Sequence, residues 1–158
     1  MREYVRNSEY HPDIEKLREL LSKVTDEQKL NILQRIKYVD STALHEAADR
    51  DDAEMITTIL SSLQSSDRLK LLMMRDDDKR TPLHLAAWRG HTESVKAILD
   101  SLTADQQMQL LTVEDEDGET AVEMTSGETA DVLSEYKNRA REKAGPGEFL
   151  MSYHVNIG

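Results

Sequence analysis

Thr81-Pro82-Leu83-His84-Leu85-Ala86-Ala87 is the second appearance of a pattern first met 39 residues earlier, as Thr42-Ala43-Leu44-His45-Glu46-Ala47-Ala48. A further step of 39 residues reaches Thr120-Ala121-Val122-Glu123-Met124-Thr125, a degraded third copy. The segments between copies keep the same register without gaps. Leu20-Leu21, Ile59-Leu60 and Ile98-Leu99 align, and Leu30 and Leu33 align with Leu69 and Leu72 and with Met108 and Leu111. Self-similarity at one fixed period over roughly 120 residues is the mark of a stacked repeat architecture, in which each unit buries its apolar face against the next.

Each period reads as three helices. The first is short and opens at Thr-Pro, where Pro82 suits the first helical position because its missing N–H would have no partner there. It passes through the small pair Ala86-Ala87 and stops near Gly90. The second starts near Thr92 and carries Val95, Ile98, Leu99 and Leu102 at the spacing of one helical face. The third opens with Thr25-x-x-Gln28 or Thr103-x-x-Gln106, both capping-box patterns, and an acidic turn leads from it to the next Thr-Pro.

The chain has 158 residues, 31 Asp plus Glu against 20 Lys plus Arg, and no cysteine. Without cysteine there are no disulfides, thiolate nucleophiles or Cys-ligated metal sites, and an intracellular, cytoplasmic location is expected. The net charge of −11 argues against a nucleic-acid binder, which needs clustered Lys and Arg. No apolar run approaches the roughly 20 residues that span a bilayer. No apolar stretch follows Met1-Arg2-Glu3-Tyr4, so a signal peptide is not expected, and the six scattered glycines make no phosphate loop. The acidic excess is local. Between Ala97 and Tyr136 there are 11 acids and no Lys or Arg, whereas the remainder holds 20 of each sign.

The stretch Asp76-Asp77-Asp78-Lys79-Arg80-Thr81-Pro82-Leu83-His84-Leu85-Ala86-Ala87-Trp88-Arg89-Gly90-His91-Thr92-Glu93-Ser94-Val95-Lys96-Ala97-Ile98-Leu99 resembles a nearly complete ankyrin repeat. That family's unit is usually 33 residues, and the extra six match the third helix. The resemblance covers about residues 13–143. It implies an all-α helical solenoid with finger turns and an extra short linker helix per repeat. The expected organisation is an N-terminal half repeat over 13–40, full repeats over 41–79 and 80–118, a C-terminal capping repeat over 119–143, and a Gly/Pro linker and tail over 144–158.

Several positions depart from the family pattern. Arg50-Asp51 replaces the Arg89-Gly90 turn, and Lys79 stands where the finger turn often has glycine, while Gly118 fits. A left-handed residue at Asp51 would cost more than at glycine. The last repeat is shorter by about three residues before Gly127, so its first helix should be very short. Leu133, Glu135 and Tyr136 answer Lys96, Ile98 and Leu99, which makes its outer side polar, as a terminal cap requires.

The resemblance also implies a protein-binding surface made by the finger turns and the exposed side of each first helix. The positions mapped to it are Tyr38, Val39, Ser41, Asp49 and Arg50, then Asp77, Asp78, Arg80, Trp88 and Arg89, then Glu116, Asp117 and Glu119. Trp88 is the only Trp and neighbours Arg89, and both residue types are enriched at binding hot spots. It either anchors a partner or packs against the next repeat. The resemblance gives His45 and His84 a structural role, bonding backbone near the turn. His45 with Asp49 has metal-ligand spacing, but the zincin pattern needs a second His where Asp49 stands. An EF-hand is excluded at the acidic turn, because with Gly118 in sixth place the first and twelfth ligands would be Val113 and Met124. No nucleophile–base constellation appears, so no enzyme, cofactor or metal is expected.

Beyond the basic run Lys137, Arg139, Arg141 and Lys143 comes Ala144-Gly145-Pro146-Gly147, a boundary signal. Phe149-Leu150-Met151-Ser152-Tyr153 is similar to the opening strand of TIR-type signalling domains. Two functions follow. One is a freestanding monomeric adaptor binding a protein partner, basic where it meets the acidic last repeats. The other is a regulatory ankyrin segment of a larger signalling protein with an effector domain after residue 158.

Overall fold

The computed structural model describes residues 14–35, 37–38 and 41–144, with the side chains of residues 35, 37, 38, 41 and 144 left out; Val39 and the tail after 144 lie outside it. In chain order the helices are α1 (Ile14–Ser22), α2 (Asp26–Arg35), α3 (Ala43–Asp49), α4 (Ala53–Ser61), α5 (Ser65–Leu72), α6 (Pro82–Arg89), α7 (Thr92–Asp100), α8 (Ala104–Leu111) and α9 (Gly127–Ala144). Between α2 and α3 lies a two-residue antiparallel ladder, β1 (Lys37–Tyr38) with β2 (Ser41–Thr42). This ladder is a turn rather than a sheet, and the fold is an all-α repeat solenoid.

Local chemistry sets the helix limits. Thr81 caps α6 by accepting the N–H of His84, while its own N–H donates to the His84 ring, and Pro82 follows at the first helical position. Gly90 ends α6 with φ of 71°, a left-handed value that suits glycine. The Thr103–Gln106 box opens α8 in the same reciprocal way.

The helices stack in three layers. The short helices α3 and α6 pack together, the second helices run α1, α4, α7, and the linker helices run α2, α5, α8. In the inner layer Ala47, Ala48, Ala86 and Ala87 are all fully buried, since only small side chains let the α3 and α6 backbones approach. The second layer buries Ile56, Ile59 and Leu60 against Val95, Ile98 and Leu99. Each such aliphatic side chain contributes about 1.5–3 kcal/mol through burial.

Register alone does not decide burial. Ile59 and Ile98 are fully buried, yet Leu20 at the same register is 55% exposed. Likewise Leu71 and Leu110 are buried, whereas Ile32 is 42% exposed. Among the described residues no repeat precedes α1, so these two side chains have nothing to pack on. At the other end, residues 121–124 form a single turn where a short helix was expected. Gly127, with φ of 69°, stands 37 residues after Gly90, so the last repeat is two residues short rather than about three. Its second helix, α9, runs 18 residues and packs on both α7 and α8. Leu133 and Ala140 are its fully buried contacts, and the Tyr136 hydroxyl donates to Asp100 at 2.5 Å.

Arg68 ties the layers together. Its Nε donates to the carbonyls of Leu60 (2.7 Å) and Leu63 (3.0 Å), and its Nη1 donates to that of Ser101 (3.1 Å). It thereby caps α4 and reaches the end of α7. Gln107 does part of this one repeat later by donating to the Leu99 carbonyl. Charge-assisted bonds to orphan helix-end carbonyls are the strong kind, so Arg68→Ala is expected to cost about 2 kcal/mol. A shift of the urea midpoint at unchanged m-value would show it.

Candidate protein-interaction surface

Two finger turns share one construction. The backbone N–H of Asp76 donates to the Arg80 carbonyl at 2.9 Å, and Asp76 Oδ1 accepts the N–H groups of Asp78 and Arg80, both at 2.9 Å. Thirty-nine residues later, Asp115 N–H donates to the Glu119 carbonyl and its Oδ1 accepts from Asp117 and Glu119, all at 2.9 Å. The fingers are joined to each other by Glu116 N–H to the Asp78 carbonyl at 3.0 Å. Burial of Asp115 opposes its ionisation, but the Glu119 and Asp117 N–H donors and the nearby Arg80 charge prevail and hold its carboxyl below the usual range. Asp76 and Asp115 were not singled out in the sequence, although their offset of 39 was the available signal. Lys37 occupies the equivalent place in the first finger, which is held by the short ladder instead.

The histidines fasten each short helix to the following finger. His84 Nδ1 accepts the Thr81 N–H at 3.2 Å, which leaves Nε2 to donate to the Glu119 carbonyl at 3.0 Å. His45 repeats this with the Thr42 N–H (3.3 Å) and the Arg80 carbonyl (2.8 Å). Both ring nitrogens of each are engaged, so the neutral Nε2–H tautomer fits and neither ring offers a lone pair to a metal. Burial lowers the pKa of both. Glu123, in the last copy, keeps only the inner half, accepting the Thr120 N–H at 2.7 Å.

The left-handed positions include two that are not glycine, Asp51 with φ of 58° and Lys79 with φ of 60°. Asp51 is partly compensated, since its carboxylate accepts from Ser94 Oγ at 2.8 Å in the next repeat. Lys79 is exposed at a fingertip, where its backbone N–H donates to the Asp76 carbonyl at 3.0 Å. The left-handed conformation costs about 1–2 kcal/mol for a non-glycine residue and the entropy of glycine offsets part of that. Lys79→Gly should therefore raise stability by about 0.5 kcal/mol, visible as a higher thermal midpoint.

The structure distributes the mapped residues unevenly. Asp77, Asp78, Glu116, Asp117 and Glu119 are exposed along the two joined fingers. Trp88, at the end of α6, is 51% exposed. The Arg89 guanidinium lies 4.7 Å from its ring centre and that of Arg80 5.4 Å, both within cation–π range. Asp49 and Arg50 are turned to internal pairing: Asp49 accepts from Arg89 at 2.8 Å, bridging α3 and α6, and Arg50 pairs with Glu46 at 2.5 Å. Tyr38 and Ser41 pair through their backbones in the first finger.

A unit of finger turn, short inner helix and outer helix, stacked at a fixed period, defines a helical repeat protein. The family model for ankyrin repeats in three copies matches residues 8–110, well over half of the chain. The chain belongs to the ankyrin repeat family, whose repeats are generally protein–protein interaction modules and typically non-enzymatic. No curated protein matches it. No described helix is long and apolar enough to cross a membrane.

Proposed function

We propose that this protein is a non-catalytic, cytoplasmic adaptor that binds a protein partner on the concave surface formed by its finger turns and the open side of α6. The observation that carries this reading is Trp88. A side chain with so large an apolar area is seldom left half in water without use, and here it is flanked by arginines beside a row of exposed finger acids. Asp77, Asp78, Glu116, Asp117 and Glu119 supply the negative rim, so the partner's facing edge is basic. Asp49 contributes by bridging α3 to α6, and Arg50 by pairing with Glu46 at the end of α3.

Affinity purification from the source cell tests this, with wild type beside Trp88→Ala and a variant neutralised at the exposed acids Glu114, Glu116, Asp117 and Glu119. Trp88→Ala should weaken the recovered complex by about 2 kcal/mol, roughly thirtyfold, without lowering thermal stability. The neutralised variant should lose the salt sensitivity that wild-type binding shows. Equal recovery by Trp88→Ala would remove the anchor from this reading.

A further inference from the structure

The two ends of the stack differ in chemistry. Among the described residues, Leu20 and Ile32 are large apolar side chains left 55% and 42% exposed, and both lie at the end formed by α1 and α2. Their register partners, Ile59 and Ile98 for Leu20, Leu71 and Leu110 for Ile32, are buried, because in those repeats the same face packs on the preceding repeat. Leu21 and Leu33 turn into the stack and are buried. The charges beside the α1–α2 face are matched within it. Arg18 pairs with Glu15, Lys23 with Glu19 and Lys29 with Asp26. Residues 14–35 carry five basic and four acidic side chains, whereas residues 97–136 carry 11 acids and no Lys or Arg. The far end is closed by α9, which exposes the ion pair of Glu135 and Arg139.

We propose that the α1–α2 face is a self-association surface, which joins two copies of this chain about a two-fold axis with Leu20 and Ile32 of each packed on the same face of the other. Charge selects this occupant. Two chains of net charge −11 repel wherever their acidic ends approach. Packed helices lie about 8–10 Å apart, so the acidic block, which begins at Asp100 at the end of α7, is roughly 20 Å from α1, about twice the ~8 Å screening length at physiological salt. A second copy therefore meets little repulsion at the α1–α2 face. Head-to-tail stacking would instead set the polar side of α9, with the acidic block beside it, on Leu20 and Ile32. A two-fold contact is self-complementary and closes at two copies. Helices of nine and ten residues are about 14–15 Å long, so the face is smaller than the ~800 Å² per partner of a standard interface, and the dissociation constant is on the order of 100 μM. The dimer would carry two copies of the Trp88 surface and bind a bivalent partner by avidity, a consequence that alone rests on the concave-surface reading.

Analytical ultracentrifugation of the intact chain from about 5 to 500 μM, a range that brackets the expected constant, tests the proposal. The sedimentation coefficient should rise from that of a monomer to that of a dimer and stop there. The double variant Leu20→Lys with Ile32→Lys should stay monomeric throughout, whereas Trp88→Ala should dimerise like wild type. Added salt screens the acidic ends and should leave the dimer intact or strengthen it. Both replaced side chains are exposed, so at low concentration the lysine variant should keep the wild-type thermal midpoint. The chain has no cysteine, so Leu20→Cys supplies a single thiol near the axis. Mild oxidation should link two copies of that variant at concentrations where Asp117→Cys, on an exposed finger, stays largely unlinked. A monomer at every concentration, a dimer untouched by the lysine pair, or an assembly that grows past two copies and dissolves in salt would each overturn the two-fold contact. A strictly monomeric chain whose thermal midpoint falls by several degrees in the lysine variant would also overturn it, and would assign the cover of this face to the residues before α1. None of these results touches the concave-surface reading, which stands or falls on partner recovery by Trp88→Ala.

Discussion

Replacing His84 with alanine should destabilise the protein by about 3 kcal/mol, because the change leaves the buried Thr81 N–H without an acceptor and opens a cavity where the imidazole stood. The Glu119 carbonyl suffers less, since it still accepts the Asp115 N–H. His84→Gln should recover part of the loss. The Thr25–Gln28 and Thr103–Gln106 boxes show that glutamine returns the cap N–H in this chain, although it cannot be expected to span to the next finger as the ring does. A chemical-denaturation series of wild type, glutamine and alanine variants should order in that sequence, and identical midpoints would refute the fastening role.

The same histidines give stability a pH dependence of defined sign. Their folded-state pKa values lie below the unfolded value of about 6.5. The unfolded chain thus binds protons first. Stability is fully present above that value and falls as pH drops through it, with a slope approaching about 1.4 kcal/mol per pH unit per histidine between the two pKa values. His84→Ala should flatten this dependence. Asp115 acts in a separate, lower window: its depressed carboxyl contributes stability above the ordinary Asp range, lost only as pH falls through its folded pKa.

Ile98→Ala carries the second large effect, an expected loss of about 3 kcal/mol, since the side chain is fully buried in α7 where that helix packs between α4 and α9. Leu20→Ala removes a similar side chain from the same register position in α1, but there it is more than half exposed. Its cost should stay within about 0.5 kcal/mol. Measuring both by urea denaturation compares one sequence position in two stacking environments. Equal losses would mean that the register, and not the neighbouring repeat, sets the energy, contrary to nearest-neighbour stacking.

Much of this architecture was legible in the chain. The recurrence of Thr-x-x-His and Thr-x-x-Gln marks helix starts, because each pairs an N-cap oxygen with a return acceptor three residues on, whatever lies around it, and Thr120-x-x-Glu123 keeps the return acceptor at a single turn. The phase of Leu21, Leu60 and Leu99 likewise places a buried face with no need of tertiary knowledge. The interaction surface was less legible. Sequence placed Trp88 and Asp49 on one candidate surface, with Trp88 foremost, and left open whether Trp88 packs or faces solvent; Trp88 opens to solvent whereas Asp49 is held in an ion pair to a helix 40 residues away.

What the sequence by itself determined is local or periodic: helix limits, capping partners, the 39-residue step and the family. These depend on interactions within one turn or one repeat, so they are written in spacing. Only the tertiary structure decided which side chains at one register are buried, that α9 closes over both α7 and α8, and that Trp88 is left half exposed beside Arg80 and Arg89. Those outcomes depend on which neighbour is present across the stack and on the distances between charges it brings, and neither is encoded in the position of a residue along its own repeat.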